Sequence, residues 1–220
     1  MEYRIFGEIA QYVEMIVQPH ESIWASKGCI MSMTRDISWQ LKIPGGAKGA
    51  VRRTLSGEGI ALTYITAGKK DQQLRLASNN PGHIEAWNLA DGAIITTRGS
   101  FLAAWGDQID ISVAVAKRVG AAFFGGAGLF LQRISGQGIV LISGQGDFCK
   151  HNLAENETIV VSTGNLAAFS DSIDYNIQGV SGCRRILFGG EGIFMTHLTG
   201  PGNIMLQSLK PLVKNRSGQR

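Results

Sequence analysis

The chain has 220 residues, 44% of them hydrophobic, enough to bury a substantial core in one intertwined domain. Charged residues are only 17%, and the 29 glycines follow no Gly-x-y period, which excludes collagen-like and disordered chains and favours turn-rich β structure. Lys and Arg exceed Asp and Glu by 21 to 17, a balance that permits an anionic partner without requiring one, and no run approaches the roughly 18 apolar residues of a membrane-spanning helix.

Cys29, Cys149 and Cys183 are an odd set with no Cys-x-x-Cys, so neither a disulfide framework nor a structural zinc site is indicated. Glu2, Arg4 and Glu8 occupy the place where a signal peptide needs an apolar run, and a cytoplasmic, reducing setting is expected.

In chain order, Tyr12 to Val17 reads as a strand that Pro19 and His20 end in a turn, where Asp91-Gly92 and Glu155-Asn156 turn later. A signature follows: Glu21 to Met31 matches Glu157 to Ala167 at an offset of 136, and Ile94 to Ala103 is a middle copy. Gly28, Gly99 and Gly164 break each copy at one place, as expected for positive φ or a bulge. Each copy then feeds an alternation, Ile37/Trp39/Leu41, Ile109/Ile111/Val113 and Ile173/Tyr175/Ile177, which predicts half-buried strands. Ala47 to Leu55 and Val115 to Phe123 leave room for a helical turn or two.

Phe124 to Ser143 returns as Phe188 to Gln207, 64 residues on, each copy holding two Gly-x-Gly turns that predict a β-hairpin. Ser56 to Thr66 supplies a third first half and Pro81 to Trp87 its second half, with Gly68 to Asn80 read as an irregular, mobile insertion. The expected fold is all-β: three intertwined hairpin repeats around a pseudo-threefold axis, approximately 1–87, 88–151 and 152–212, in one domain 1–212 with a disordered basic tail 213–220.

These signatures, with Arg98-Gly99-Ser100-Phe101-Leu102-Ala103 and Gly200-Pro201-Gly202-Asn203-Ile204-Met205-Leu206-Gln207, resemble the altered-inheritance-of-mitochondria protein 24 family, a former domain of unknown function, from residue 1 to about 212. The resemblance implies a short double-stranded β-helix like that of the tryptophan RNA-binding attenuation protein, assembly into rings, and no catalytic residues. Fungal members are mitochondrial inner-membrane proteins linked to cristae, whereas this chain looks like the short prokaryotic type, and carrying that role over would rest on fold-level analogy.

No constellation points to a reaction or a cofactor. The Gly-x-Gly turns precede strands rather than helix N-termini, and Pro44 to Gly49 lacks P-loop spacing. His20, His83, His151 and His197 fall in different elements, Cys149 and His151 lack further metal ligands, and Glu58 and Glu191 share a turn position that Ala127 fills in the middle copy. The one pattern that could be both repeated and functional is a basic pair ahead of each glycine turn: Arg52-Arg53, Lys117-Arg118 and Arg184-Arg185. Gathered at one end they would make an anion-binding ring; scattered, they are solubilising charges. Beside them the uncharged stretch Phe123 to Leu131 reads as core or subunit interface.

The leading expectation is a non-enzymatic scaffold that forms a homo-oligomeric ring, a trimer. The alternatives are a binder of RNA or of an anionic membrane surface, and a small-molecule binding protein. Salt-dependent retention on nucleic acid or acidic liposomes separates the first alternative from the scaffold.

Overall fold

The computed structural model describes residues 1–45, 61–114, 131–179 and 194–211. β1 (Glu2–Phe6) and β2 (Tyr12–Val17) pair antiparallel, and Val13, Met15 and Val17, alternating along β2, are fully buried on one face. Short turns then join β3 (Ser22–Ala25), β4 (Ile30–Met33) and β5 (Ile37–Lys42), and β6 (Leu62–Ala67), β7 (Gln72–Ala77), β8 (Ile84–Asn88) and β9 (Ile94–Thr97) follow. Two long strands, β10 (Phe101–Ala114) and β11 (Leu131–Ser143), occupy the middle of the chain. The chain continues through β12 (Phe148–Leu153), β13 (Thr158–Ser162), β14 (Leu166–Ser170), β15 (Asp174–Gly179), β16 (Phe194–Thr199) and β17 (Gly202–Gln207). Every ladder between strands is antiparallel, and the described residues hold no α-helix, only 3-10 turns at Leu89–Asp91 and Thr163–Asn165. The fold is all-β, as the periodicity predicts.

The strands stack in four layers around three cores. The first layer runs β1-β2-β7-β4, and the last runs β13-β16-β15. Between them, β10 and β11 pass from one inner layer to the other. The second layer is β8, the C-terminal half of β11, the N-terminal half of β10, β3, β6 and β5; the third is β12, β17, β14, β9, the N-terminal half of β11 and the C-terminal half of β10. The first core joins layers one and two through Met15, Leu74, Ile23, Ile65 and Trp105. Phe101 and Val140 meet Ile111 and Ile134 in the second, and Leu131, Phe169, Val161 and Leu198 lie in the third. Burying this many aliphatic side chains, at about 25 cal/mol per Å² of apolar surface, is the main force holding the layers together.

The pairing pattern recurs along the chain. β2 and β4 both flank β7, and β3 and β5 both flank β6. In the same way β12 and β14 flank β17, and β13 and β15 flank β16. In the middle, β8 and the first half of β10 flank the second half of β11, while β9 and the second half of β10 flank its first half.

Several expectations are corrected. Gly136 to Gly138 does not fold two arms onto each other: β11 runs through it as one bent strand, and β16 and β17, on either side of Gly200 to Gly202, pair with other strands rather than together. The bend needs glycine because the backbones of β10 and β11 touch there. Gly106 (φ 135°) is paired with Gly138 (φ 150°), and a Cβ on Gly138 would overlap the Trp105 carbonyl oxygen. Gly68 to Asn80 is not an irregular insertion, since it contains β7, whose Leu74 and Leu76 are fully buried, with the turn of Lys69, Lys70 and Asp71 exposed ahead of it. Pro81 to Trp87 accordingly leads into β8 and the next pairing set. Of the three signature glycines, Gly28 takes a positive φ of 81°, while the bulge falls two or three residues later, between Ile30 and Ser32, Phe101 and Ala103, and Leu166 and Ala168. Trp39 is not a core residue: among the described residues β5 pairs only with β6, and Trp39 is 52% exposed.

Candidate assembly edges

Arg52, Arg53, Lys117, Arg118, Arg184 and Arg185 all lie outside the described residues, as do Glu58, Glu191, Cys183 and the turn of Phe124 to Phe130. The described residues hold other candidates, which the fold places as follows.

Cys149 and His151 stand on one face of β12, Sγ to Nε2 3.4 Å, both exposed at a sheet edge. No group of three His, Cys, Asp or Glu able to hold a metal occurs among the described residues. His83 sets Nδ1 3.0 Å from the Gly146 carbonyl oxygen and 3.2 Å from Asp147 Oδ1, pinning the entry of β8 to that of β12. Lys150 of β12 reaches back to Glu85 of β8 at 2.9 Å, beside a cavity of about 380 Å³ lined by Trp87, His151 and Met205. A second cavity of about 270 Å³ includes Lys27, Asn79, Arg98 and buried Gln132, whose Oε1 has no hydrogen-bond partner. Burial pushes the Cys29 thiol up to about 12, so this cysteine is inert. Burial also raises the Tyr175 hydroxyl, with the charges of Asp171 and Asp174 adding to it. Arg133 is bound at 2.9 Å to Asp171, and this hydrogen bond raises its guanidinium pKa. These are structural ion pairs and core groups.

The sheet ends carry a sharper signal. In both inner layers the strand order is one: β8 or β12 at the rim, then the second half of β11 or β17, then the first half of β10 or β14, then β3 or β9, then β6 or the first half of β11, and last β5 or the second half of β10. The first layer contains the first half of such a sheet, β2-β7-β4, with β1 added outside β2, and stops at β4; the last contains the second half, β13-β16-β15, and starts at β13. The strands holding those places in the inner layers are sealed to each other, β10 to β3 and β14 to β9, whereas β4 pairs only with β7 and β13 only with β16 among the described residues.

Both open edges are uncharged, Ile-Met-Ser-Met in β4 and Thr-Ile-Val-Val-Ser in β13. The other rim strands each carry a charge: Arg4 in β1, Lys42 in β5, Glu85 in β8, Lys150 in β12, Asp110 in the second half of β10 and Asp174 in β15. Charges are the usual guard against unwanted edge pairing. Met31 is 59% exposed, Met33 39% and Val160 47%. The sequence holds this signal in the uncharged edge residues, but only the pairing pattern shows that these two strands have no partner on their open sides among the described residues.

The chain is 30% identical over 206 residues to the uncharacterized protein M6_Spy0233 of Streptococcus pyogenes serotype M6, covering 90% of this chain and 81% of that one. Its fold is similar to the crystal structure of protein SPYM3_0169 from Streptococcus pyogenes, with a TM-score of 0.76, 27% identity, and coverage of 95% of this chain and 94% of that one. The family model for mitochondrial biogenesis AIM24 matches residues 3–209, nearly the whole described fold, and the chain belongs to that family.

Proposed function

We propose that the protein is a non-enzymatic β scaffold whose copies associate through sheet edges into a homo-oligomeric ring, a trimer. The observation that carries this reading is the pair of incomplete outer sheets, each ending on an uncharged, partly apolar strand that has no partner on its open side among the described residues. An open edge of this kind associates unless something guards it. The recurring strand pairings support the finer architecture: three intertwined repeats, each a short double-stranded β-helix unit of the tryptophan RNA-binding attenuation protein type. Because β4 and β13 are not paired with each other in the chain, the rotation relating successive repeats is proposed to continue from copy to copy around the axis of the ring.

Sedimentation velocity at micromolar concentration tests the reading. An oligomer is expected, three times the chain mass if the ring is a trimer. A single species at 23.6 kDa would overturn it.

A further inference from the structure

Inside the chain, one type of seam occurs twice with the same register. Ala103, Ala104 and Trp105 of β10 lie opposite Ala25, Trp24 and Ile23 of β3. Ala168, Phe169 and Ser170 of β14 lie opposite Thr96, Ile95 and Ile94 of β9. The ladders show which residues are equivalent. Ile30, Phe101 and Leu166 each precede a one-residue bulge, after which Ser32, Ala103 and Ala168 resume pairing. Ile23, Ile94 and Ile159 each face the matching Ile65, Ile134 or Leu198.

From this register we infer that copies of the chain join head to tail, β13 of one copy pairing antiparallel with β4 of the next, Ser32 opposite Val161, Met33 opposite Val160 and Thr34 opposite Ile159. The inference rests on the self-association proposed above and specifies its joint. The exposed apolar side chains fall where that joint buries them. Leu102 and Ala167, the bulge residues of the internal seams, are 1% and 0% exposed and enter the first and second cores, the cores of the preceding repeats. Met31 holds the same place at 59% exposure, and in the joint it enters the third core of the neighbouring copy. Met33 stands where Ala104 and Phe169 are fully buried, and Val160 stands where Ile95 is 4% exposed. Val160 thus turns toward the first core of the neighbour, and each copy lends a side chain to the other's interior.

The seam cannot close within one chain. Its two edges belong to the outermost of four stacked layers, and at about 10 Å per layer they lie about 30 Å apart. A heterologous joint of this kind gives a ring if its rotation closes and a filament if it does not.

Two single variants of the full chain test it. Met31→Asp spoils the β4 edge and leaves β13 competent; Val160→Asp does the reverse. Both sites are exposed in the single chain, so each variant should keep the wild-type circular dichroism spectrum, and each alone should sediment at the 23.6 kDa monomer mass. Mixed in equal amounts they should form a one-to-one dimer and nothing larger, since each brings one competent edge. Self-association of either variant alone, as β4-to-β4 or β13-to-β13 pairing would allow, overturns the joint while leaving the scaffold reading intact. A mixture that stays monomeric beside an oligomeric wild type also overturns the joint. A monomeric wild type overturns both the joint and the scaffold reading.

Discussion

Glu21 and Glu157, aligned in the repeated signature, do the same work at the turns before β3 and β13. Glu21 Oε2 accepts the Gln18 backbone N–H at 2.9 Å, and Glu157 Oε2 accepts that of Ala154 at 2.8 Å, while each glutamate's own N–H returns to the carbonyl oxygen three residues back. Replacing Glu157 with Ala should cost about 1 kcal/mol of unfolding free energy, read from urea denaturation. Glu21 adds an ion pair at 2.9 Å with the Met1 ammonium. Partial burial pushes its carboxyl pKa up, but the hydrogen bond to the ammonium, the Gln18 N–H and the nearby positive charges outweigh that and leave it below the ordinary value. A depressed carboxyl contributes stability that is present above the unfolded pKa and lost as pH falls through the folded one. The Glu21→Ala deficit should therefore shrink on acidification below about pH 4. Cys29 has the opposite sign. With its thiol held up to about 12, the folded state keeps a proton that the unfolded state releases from about pH 9, so stability falls as pH rises through that window. Mapping of iodoacetamide adducts at pH 8 should find exposed Cys149 labelled in the native protein and Cys29 labelled only after unfolding.

At the scale of the strand, alternation was legible and partnership was not. Val13, Met15 and Val17 announce β2 because every second residue is apolar and buried. The repeated Gly-x-Gly segments look like hairpin turns because glycine serves equally for a reversal and for a bend where two backbones touch, and local sequence does not distinguish the two. In the Gln72-Gln73-Leu74-Arg75-Leu76-Ala77 run the lysines and aspartate just before it mark a loop and mask the strand, although Leu74 and Leu76 already alternate. The bend gives a direct check. Gly138→Ala places a methyl against the Trp105 carbonyl in a backbone conformation that alanine rarely adopts, at the contact between β10 and β11. It should lower stability by about 3 kcal/mol or more, visible as a large fall in urea midpoint, whereas Gly99→Ala, with open space around its Cβ, should be nearly silent.

For the molecule as a whole, the all-β class and the family were legible in the repeated signatures. The edges were not, because the residues of β4 and β13 align with those of sealed strands, and only the strand pairing shows that their open sides are unpaired among the described residues. Linkage between association and folding follows from this geometry. If Met31 and Val160 are buried only in the assembly, copies that are joined are more stable than copies that are free, and mass action makes the melting temperature rise with protein concentration. A tenfold rise in concentration can add at most about 1.4 kcal/mol per joint, which for a chain of this length is a shift of about 3 to 5 °C. Scanning calorimetry of the wild type across a hundredfold concentration range should show that climb, and Met31→Asp should melt at one temperature throughout. A wild type that melts independently of concentration while remaining oligomeric would mean that the copies part before they unfold, and that the joint adds nothing to the stability of the fold.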